Sequence, residues 1–395
     1  MKAAALLAAL LLSACAAISP RNPVPADLVE QARPYGQPGL RAWADVSYPK
    51  QRARAREAWR EALVRKRARE GDPLSVDILA LSGGGPAGAF AAGLLSGWSD
   101  EGTRPKFDLV TGISVGALIA PFAFVGPEYD ETLKQLFTEE VATSAPVFAP
   151  LAALGGALGL VDTTPFREAI ERHVDRNLLD RVADAYVSED RTLLVGTTNI
   201  DAGRPVIWDL GAIAAAGDLA LFRQVMLASA SIPGVFPPVA IAVQAKGGRY
   251  DEFHVDGGVT HSVIVWPNGY ERALAPFDDI PLKTTIYVVQ NNSLTRPYQP
   301  VAASLPALAG RALSTMILVQ SDDDLAGIAR AAAEAGAEFR LAYVPAALDI
   351  ASTTDFDREA MRRLYEAAYA DARDGIDWKT RPPNRCGATS APDGC

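Results

Sequence analysis

Short apolar runs alternate with segments of helical periodicity from residue 74 onward. The runs have strand length and are rich in Val, Ile and Leu: SVDILALS (75–82), FDLV (107–110), RTLLVGTTNI (191–200), RPVIWDL (204–210), KTTIYVVQNN (283–292) and FRLAYVP (339–345). Helices are predicted between them, for example over about 115–125 and 217–229. Strands that are apolar throughout are typical of a mostly parallel sheet covered by helices on both faces. The pattern therefore predicts an α/β fold, with one domain over residues 74–375.

The N-terminus has the pattern of an export signal. Lys2 precedes an apolar run over 3–12, which is too short to cross roughly 30 Å of hydrocarbon as a helix. The sequence Leu-Ser-Ala-Cys at 12–15 resembles a bacterial lipobox, in which the cysteine is lipidated and becomes the mature N-terminus. We therefore interpret residues 1–14 as a lipoprotein signal peptide and Cys15 as the lipidation site. A plain secretory signal with an incidental cysteine is the alternative.

The resemblance to a lipoprotein signal also implies a location. Ala16, rather than Asp, follows the cysteine, which in proteobacterial lipoproteins implies transfer to the outer membrane. We therefore expect a protein of the bacterial cell envelope, an outer-membrane lipoprotein that faces the periplasm or the cell surface. Its N-terminal lipid would be the contact with the membrane.

Two segments separate this signal from the α/β pattern. Residues 15–50 contain several prolines and are predicted to form an extended tether. Residues 51–73 are predicted to form a basic amphipathic helix, since the sequence over 50–70 carries nine Lys and Arg against three Glu. Trp59 and Leu63 fall on one face of that helix. The helix could lie on an anionic membrane surface, or it could be solvated and pack Trp59 onto the domain.

Composition and charge narrow the function classes. A net charge of −9 argues against a general nucleic-acid binder, which would carry a basic surplus. The three histidines and three cysteines show no metal-ligand spacing, so no metal and no other cofactor is expected. An apolar fraction of 49% and a charged fraction of 22% are those of an ordinary packed globular protein. Composition and charge do not indicate an oligomeric state.

Two cysteines lie in the tail predicted over residues 376–395. Cys386 and Cys395 occur in a stretch rich in Pro, Gly and Ser. If the chain is exported, they meet an oxidising compartment, where a disulfide that closes this short loop is one interpretation. Two unpaired thiols are the other.

A serine stands between two glycines where an apolar strand meets an apolar helix. The stretch Gly112-Ile-Ser114-Val-Gly116 fits a tight turn that exposes the serine hydroxyl above the edge of the sheet. The flanking glycines remove Cβ atoms that would clash there. The start of the helix offers N–H groups and the positive end of the helix dipole to developing negative charge. We interpret Ser114 as a nucleophile.

A second glycine-rich turn follows the first predicted strand. Its sequence, Ser-Gly-Gly-Gly-Pro-Ala-Gly over 82–88, lets the backbone turn N–H groups into a concavity that holds an oxyanion. The candidate oxyanion-hole residues are Gly83, Gly84, Gly85 and Gly88. A phosphate-binding loop is the rival interpretation, but it requires Gly-Lys-Ser/Thr where this loop ends in Gly-Ala. The dinucleotide-binding motif matches only in the spacing of Gly83, Gly85 and Gly88, because the acidic residue that should end the following strand is missing.

An aspartate is the third candidate. Asp256 ends the apolar strand of FHVDGGVTHS (253–262) and precedes Gly257 and Gly258, which leave its carboxylate without steric cover. An ordinary Asp-Gly turn is the alternative. No histidine follows residue 261, so the late histidine of an α/β-hydrolase triad is missing. A Ser–Asp dyad, in which the carboxylate accepts the serine proton directly, fits these residues better than a triad.

These three motifs, in this order, resemble those of patatin-like phospholipases. The segment ASASIPGVFPPV (228–239) is also similar to the block ahead of the family's aspartate, and the resemblance covers about residues 75–295. It implies a three-layer α/β/α sandwich, hydrolysis of acyl esters of lipids, and the serine and aspartate as the catalytic pair. One departure is Pro86-Ala87, where many members carry Arg or Lys. That departure puts a charged contact with a phosphate headgroup in doubt.

Three functions fit these residues. The first is a serine acyl hydrolase that cleaves phospholipids or related lipid esters. The second is an esterase or thioesterase for small soluble acyl substrates, and the third is a catalytically silent lipid-binding lipoprotein. The apolar segment over 144–165, broken by Gly and Pro, is either a buried connection or a lid over the site. Neither head-group nor sn-position preference can be read from the sequence.

Overall fold

The computed structural model describes residues 21–46, 49–140, 147–148, 161–266, 277, 279–295, 298, 300–348 and 356–383. The described helices are α1 (Pro49–Glu70), α2 (Gly88–Glu101), α3 (Val115–Val125), α4 (Asp130–Gln135), α5 (Thr164–His173), α6 (Arg176–Glu189), α7 (Leu210–Ala215), α8 (Leu219–Ser229), α9 (Leu305–Glu334) and α10 (Arg358–Arg373). The described strands are β1 (Arg33–Pro34), β2 (Arg41–Trp43), β3 (Leu74–Leu81), β4 (Leu109–Ile113), β5 (Val147–Phe148), β6 (Val161–Asp162), β7 (Thr192–Asn199), β8 (Arg204–Asp209), β9 (Val239–Ala245), β10 (Gly248–Asp256), β11 (Leu282–Gln290) and β12 (Glu338–Tyr343). Over these ranges, none of the helices has both the length and the apolar character needed to cross a bilayer.

Five parallel strands form the centre of the main sheet. Their spatial order is β12, β11, β3, β4 and β7, and each is hydrogen-bonded in parallel to the next. Each corresponds to one of the apolar runs predicted to be strands. The predicted α/β fold with a mostly parallel central sheet is confirmed.

Helices cover both faces of this sheet. Side chains of β3 point alternately to two hydrophobic cores, as expected for a strand that is buried on both sides. One core contains Leu79 and Leu81 with side chains of α2, α3 and α10, and the second core contains Ile78 with side chains of α1 and α9. These layers form an α/β/α sandwich, the architecture that the resemblance implies.

The sheet changes from parallel to antiparallel at β7. One edge of β7 pairs antiparallel with β8. Its other edge is shared, because β4 pairs with it up to Ile113, opposite Gly196, and β10 takes over at Asp256, opposite Thr197. β4 and β10 run toward each other on this edge, so their C-terminal ends meet. The register thereby brings Asp256 to the residue that follows Ile113.

The described N-terminal residues, 21–46, belong to this sheet. β1 pairs antiparallel with β9, and β2 pairs antiparallel with β8. Leu28 and Trp43 are buried, and Arg21 forms ion pairs with the carboxylates of Asp201 and Asp251. We call residues 21–46 the N-terminal arm.

The extended tether predicted over residues 15–50 is therefore wrong for its described part. Pro34 lies inside β1, on an edge strand, where a missing N–H is tolerated. Both arm strands are two or three residues long, and their partners are distant in sequence. Strands this short do not produce a recognisable alternation of apolar and polar residues. The prolines were therefore the main signal, and they suggested an extended tether.

The basic helix predicted over 51–73 is observed as α1, and it lies against the domain. Leu63 is buried in the second core, and Trp59 packs against the same core. Cations of α1 form ion pairs with acidic residues outside the helix, namely Arg60 with Asp279, Arg65 with Asp190, and Lys66 with Asp108. These contacts agree with the interpretation in which the helix packs Trp59 onto the domain.

Candidate active site

Ser114 lies at a tight turn between β4 and α3. Its backbone has φ 54° and ψ −123°, which is uncommon for a residue with a side chain. Such a conformation persists only where the surrounding structure holds it, and it is typical of a nucleophile elbow. The turn takes the hydroxyl out of the line of β4 and into the space where β4 and β10 meet.

Gly112 and Gly116 make this turn sterically possible. A Cβ on Gly112 would lie 2.6 Å from the carbonyl carbon of Gly116. A Cβ on Gly116 would lie 2.7 Å from the carbonyl oxygen of Ser82 and even closer to that of Leu81. These neighbours are backbone atoms of the sheet and its turns, which cannot move aside as a flexible side chain can. Gly112 is therefore required by the close packing of α3 on the end of β4, and Gly116 by the approach of α3 to the end of β3.

The Ser114 hydroxyl donates a hydrogen bond to Asp256. The distance from Oγ to Oδ2 is 2.6 Å. Both residues are buried, with 7% of Ser114 and 5% of Asp256 exposed. Two residues singled out from separate motifs are thus in direct contact, because β4 and β10 end on the same edge of β7.

The Asp-Gly-Gly turn fixes the carboxylate. Its Oδ1 accepts the N–H of Gly258 at 2.7 Å, which leaves Oδ2 for the serine. A Cβ on Gly257 would lie 2.6 Å from the carbonyl oxygen of Gly196, so the turn packs directly on β7. Burial raises the pKa of Asp256 to about 7, although the hydrogen bonds from Ser114 and Gly258 lower it. The carboxyl group therefore titrates near neutral pH.

The glycine-rich loop over 82–88 passes beside the serine. A Cβ on Gly83 would lie 3.2 Å from the Cβ of Ser114. Gly84 and Gly85 have positive φ values of 158° and 55°, a combination that side chains disfavour. Within the described chain, no hydrogen-bond acceptor is found for the N–H group of Gly84 or of Gly85. These two donors are available to an anion beside the serine.

The other two glycines predicted as oxyanion donors are already engaged. The N–H of Gly83 donates to the carbonyl of Ser262 at 3.0 Å. The N–H of Gly88 donates to the carbonyl of Gly85 within a 3₁₀ turn. The prediction that Gly83 and Gly88 supply N–H donors is therefore corrected. Gly88 is required for packing instead, since a Cβ there would clash with the side chain of Val115.

The start of α3 adds a third available donor. Val115 is the first residue of this helix, so its N–H has no intrahelical acceptor. The N–H of Ser114 itself donates to Ser229 Oγ at 3.0 Å, and that hydroxyl donates to the carbonyl of Gly196 at 2.7 Å. Ser229 thereby fixes the backbone of the serine turn. It was not among the residues predicted from sequence, although it lies in the ASASIPGVFPPV block.

Two asparagines after β11 hold the glycine-rich loop. Asn291 donates to the carbonyl of Ser82 at 2.9 Å and accepts the N–H of Ala91 at 3.2 Å. Asn292 donates to the carbonyl of Gly83 at 3.1 Å. These residues were also missed from sequence. The available signal was a polar pair placed directly after a strand whose second half is apolar and buried.

The two histidines that flank the aspartate in sequence have other partners. His254 is buried, and its ring nitrogens lie 2.9 Å from Thr197 Oγ1 and 3.2 Å from a carboxylate oxygen of Glu252. His261 Nδ1 lies 3.2 Å from Asp324 Oδ1. In the part of the chain that the structure covers, no hydrogen bond joins either imidazole to the Ser–Asp pair. The observed partner of the Ser114 hydroxyl is therefore Asp256.

Several predicted residues lie outside the described ranges. They are Cys15, Cys386, Cys395 and most of the segment over 144–165. The lipidation site, the disulfide and the lid stay predictions. Among the residues that are described, no group of three or more His, Cys, Asp or Glu side chains is arranged to hold a metal ion.

Residues 79–267 match the family model described as patatin-like phospholipase. No curated relative matches the sequence. The chain is also similar to VipD from Legionella pneumophila, with 13% identity and a TM-score of 0.37 over 76% of this chain and 67% of that one. It is similar to human GIVD cytosolic phospholipase A2, with 10% identity and a TM-score of 0.40 over 89% of this chain and 69% of that one. A third similar structure is the complex of SpcU with ExoU from the type III secretion system of Pseudomonas aeruginosa, with 14% identity and a TM-score of 0.28 over 76% of this chain and 52% of that one.

Proposed function

Residues 79–267 of this chain form a patatin-like phospholipase domain, and we propose that the protein is a serine acyl hydrolase that cleaves carboxylic ester bonds of phospholipids or related lipids. The observation that carries the proposal is the 2.6 Å hydrogen bond from the strained Ser114 to the buried Asp256. Available N–H donors lie in the loop beside this pair. A nucleophile, a base and oxyanion donors are the three parts that acyl transfer requires.

In the first half of the proposed reaction, Ser114 Oγ attacks the ester carbonyl carbon while Asp256 Oδ2 accepts the hydroxyl proton. The carbonyl oxygen becomes an oxyanion, which accepts hydrogen bonds from the N–H groups of Gly84, Gly85 and Val115. Loss of one such donor typically costs about 3 kcal/mol of transition-state stabilisation. The tetrahedral species then expels the alcohol, which takes the proton from Asp256. The acyl group stays on Ser114.

In the second half, a water molecule replaces the alcohol. Asp256 accepts one proton of the water as its oxygen attacks the acyl carbon, and the same donors bind the second oxyanion. The proton returns to Ser114 Oγ as the fatty acid leaves. A base whose pKa is about 7 suits both steps, because it is substantially ionised at neutral pH and holds a proton better than an exposed aspartate.

The proposal is tested with wild-type protein, Ser114→Ala and Asp256→Asn on phospholipid vesicles and on a short-chain soluble ester. Both variants should fold cooperatively, with melting temperatures no lower than that of the wild type at neutral pH, and lose most hydrolysis, roughly 10³-fold or more. The amide of Asp256→Asn has nearly the shape of the carboxylate but cannot accept the serine proton. Near wild-type turnover in Asp256→Asn would remove this residue from the mechanism.

The same assays separate the other functions that the sequence allows. Hydrolysis of the soluble ester alone would favour a small-molecule esterase. If wild-type protein hydrolyses neither substrate and a fluorophosphonate probe does not label Ser114, the catalytically silent lipid-binding function is favoured.

We also propose that the protein is a lipoprotein anchored through Cys15 in a bacterial outer membrane, supported by the Leu-Ser-Ala-Cys sequence after a short apolar run. Arg21 is bound to the domain, so only residues 16–20 separate the anchor from it. That stretch reaches at most about 20 Å, which would keep the domain beside the bilayer. A single acyl chain holds a protein at a membrane only marginally, whereas the several acyl chains of a bacterial lipoprotein give stable anchoring.

Cys15→Ser should therefore abolish membrane fractionation in a bacterial host and leave hydrolysis of micellar substrate largely intact. If the variant still sediments with membranes after a high-salt wash, the anchor is not this cysteine.

A further inference from the structure

The long helix α9 has two unlike halves. In its C-terminal half, Leu325, Ile328 and Ala332 are buried in the second core. They recur at a spacing of three and four residues, so one face of this half is docked on the domain. In the N-terminal half, over 305–320, none of the described side chains is buried. Among the described residues, fully buried side chains therefore occur only in the C-terminal half of the helix and at its junction with the N-terminal half, at Ser321.

The exposed face of the N-terminal half is apolar. Leu308, Met316 and Val319 are 55%, 66% and 41% exposed. Together with the exposed Ala312 and Thr315 they recur at helical spacing and form a continuous line, which we call the α9 stripe. A contiguous exposed apolar surface of this kind marks an interaction site.

The character of the segment indicates which partner the stripe fits. Residues 305–320 carry one charge, that of Arg311, and no acidic residue, although the net charge of the whole chain is −9. Tyr298, shortly before the helix, is 92% exposed. An exposed apolar helical face without acidic residues can bury its area at a membrane–water interface, and aromatic rings such as that of Tyr298 are enriched at such interfaces. At 1.5 Å per residue this half extends about 24 Å, which is too short to span a bilayer.

The α9 stripe is also connected to the candidate active site. Ser321, just past the apolar half, is buried and donates to Ser262 Oγ at 2.6 Å. Asp324, one turn further, accepts the N–H of Ser262 at 2.7 Å. The carbonyl of Ser262 in turn accepts the N–H of Gly83, which lies beside Ser114. The end of the exposed half is thus two hydrogen bonds from the glycine-rich loop.

We propose that the α9 stripe docks the domain on the surface of a lipid bilayer. Docking would bury the stripe among lipid headgroups and upper acyl chains and bring the glycine-rich loop to the membrane. The substrate would then be a lipid taken from the bilayer, not one taken from solution. This inference rests on the proposed lipid hydrolase function for its purpose, but it concerns a separate surface and can be tested separately.

The direct test measures insertion at a single position. Full-length protein is reconstituted into vesicles of phosphatidylethanolamine and phosphatidylglycerol whose acyl chains carry bromine, which quenches tryptophan inside the bilayer. Met316→Trp should add fluorescence that the brominated lipid quenches. Arg330→Trp, on the exposed face of the docked half of the same helix, is the matched control and should show only the quenching of the wild type. Attachment through the N-terminus does not affect this local signal.

A kinetic test uses matched acidic variants of one helix. Met316→Asp/Val319→Asp should lower hydrolysis of vesicle lipid about ten-fold or more and leave turnover of a short soluble ester unchanged. Ala326→Asp/Ala333→Asp adds the same charge to exposed positions of the docked half and should change neither rate. Melting curves confirm that both variants fold.

The outcomes distinguish this inference from the proposed function. Equal quenching at positions 316 and 330 overturns the docking proposal, even if the enzyme hydrolyses lipid. Quenching at 316 without hydrolysis of any ester by wild type supports docking and contradicts the proposed activity. If Met316→Asp/Val319→Asp converts a dimer into a monomer and Met316→Trp is not quenched, a second copy of the chain covers the stripe and the proposal is wrong.

Discussion

On the parallel side of the candidate active site, backbone lies directly against backbone. This side carries the glycine-rich loop and Ser114, and its geometry depends on the close approaches at Gly84, Gly112 and Gly116. Each of these positions would place a Cβ too close to main-chain atoms. The parallel side therefore depends on the absence of side chains.

On the antiparallel side, buried side chains are the support. β10 carries Asp256, and two residues earlier the ring of His254 is hydrogen-bonded to Thr197 on one side and faces Glu252 on the other. Arg41 of the N-terminal arm forms a buried ion pair with Glu252. Burial favours a higher pKa for Glu252, but the hydrogen bonds from Arg41 and His254 lower it to about 2. The comparison teaches that the parallel side should be the more sensitive to added atoms and the antiparallel side the more sensitive to the loss of buried partners.

The largest effect should come from removing a cation on the antiparallel side. Arg41→Met removes the cation that neutralises the buried Glu252 carboxylate and leaves it only the contact with His254, which should lower the free energy of unfolding by about 3–5 kcal/mol. Denaturant unfolding measures the loss. Arg41→Met/Glu252→Leu removes both charges and should recover most of it. A single variant as stable as the wild type would show that the ion pair does not support β10.

The parallel side should respond to an added methyl group. Gly116→Ala places a Cβ against the carbonyl groups of Leu81 and Ser82 and should cost about 3 kcal/mol of stability. The matched control is Gly327→Ala in α9, where a Cβ meets no atom within 4 Å. Because alanine favours helix over glycine, that variant should gain up to about 1 kcal/mol. Equal melting temperatures for the two variants would refute the steric explanation.

A smaller effect is expected where a side chain supports the parallel side. Asn291→Ala leaves the carbonyl of Ser82 and the N–H of Ala91 without their partner, which should cost about 1–3 kcal/mol. It should also lower kcat, since the glycine-rich loop loses the hydrogen bonds that hold its position. Asn292→Ala removes one hydrogen bond at a partly buried position and should cost less. A larger loss of stability in Asn292→Ala than in Asn291→Ala would show that Asn292, and not Asn291, is the main support of the glycine-rich loop.

A change of one pH unit corresponds to about 1.4 kcal/mol for a titrating group, and this dependence distinguishes the two sides of the site. Burial raises the pKa of Asp256 to about 7, and the base must be ionised to accept a proton. Activity should therefore fall about ten-fold per pH unit below 7. Asn291→Ala should lower the plateau without moving the midpoint, because backbone donors do not titrate. A midpoint near 4 in the wild type would contradict the burial of the base.

Stability should have the opposite dependence on pH. The folded pKa of Asp256 lies above its ordinary value of 3.8, so the folded state binds the proton more tightly than the unfolded state does. The contribution to stability is complete below pH 4, decreases as pH rises toward 7 and then levels off. Asp256→Asn should remove this decrease, which unfolding measurements at pH 4 and pH 8 would show.

The sequence predicts the parallel side well because each strand–turn–helix unit on that side is a continuous segment of the chain. A strand, a glycine turn and a helix follow one another around Ser114 and again around the glycine-rich loop, and each unit carries its own hydrophobic period. Asp256 was found through its neighbouring glycines, which a buried turn against β7 requires. These motifs predicted which residues the fold would bring together.

The supporting interactions could not be predicted in the same way, since their partners are far apart in the chain. Ser229, Asn291 and Ser262 hold the site through hydrogen bonds to residues many elements away. Which N–H groups of the glycine-rich loop are free depends on the Ser262 carbonyl, which engages Gly83. The N-terminal arm was misjudged for the same reason, because the pairing of β1 and β2 depends on β9 and β8.

That pairing ties the beginning of the chain to strands that are synthesised much later. Arg33 is registered with Gln244, and Arg41 with Trp208. A ribosome releases the arm first, so its ladders stay open until those distant residues emerge, and such high contact order is associated with slow folding. The edges of β8 and β9 stay unprotected during that interval. The protein therefore completes the surroundings of Asp256 late in folding, and a chain truncated before β8 and β9 would lack the partners of its N-terminal arm.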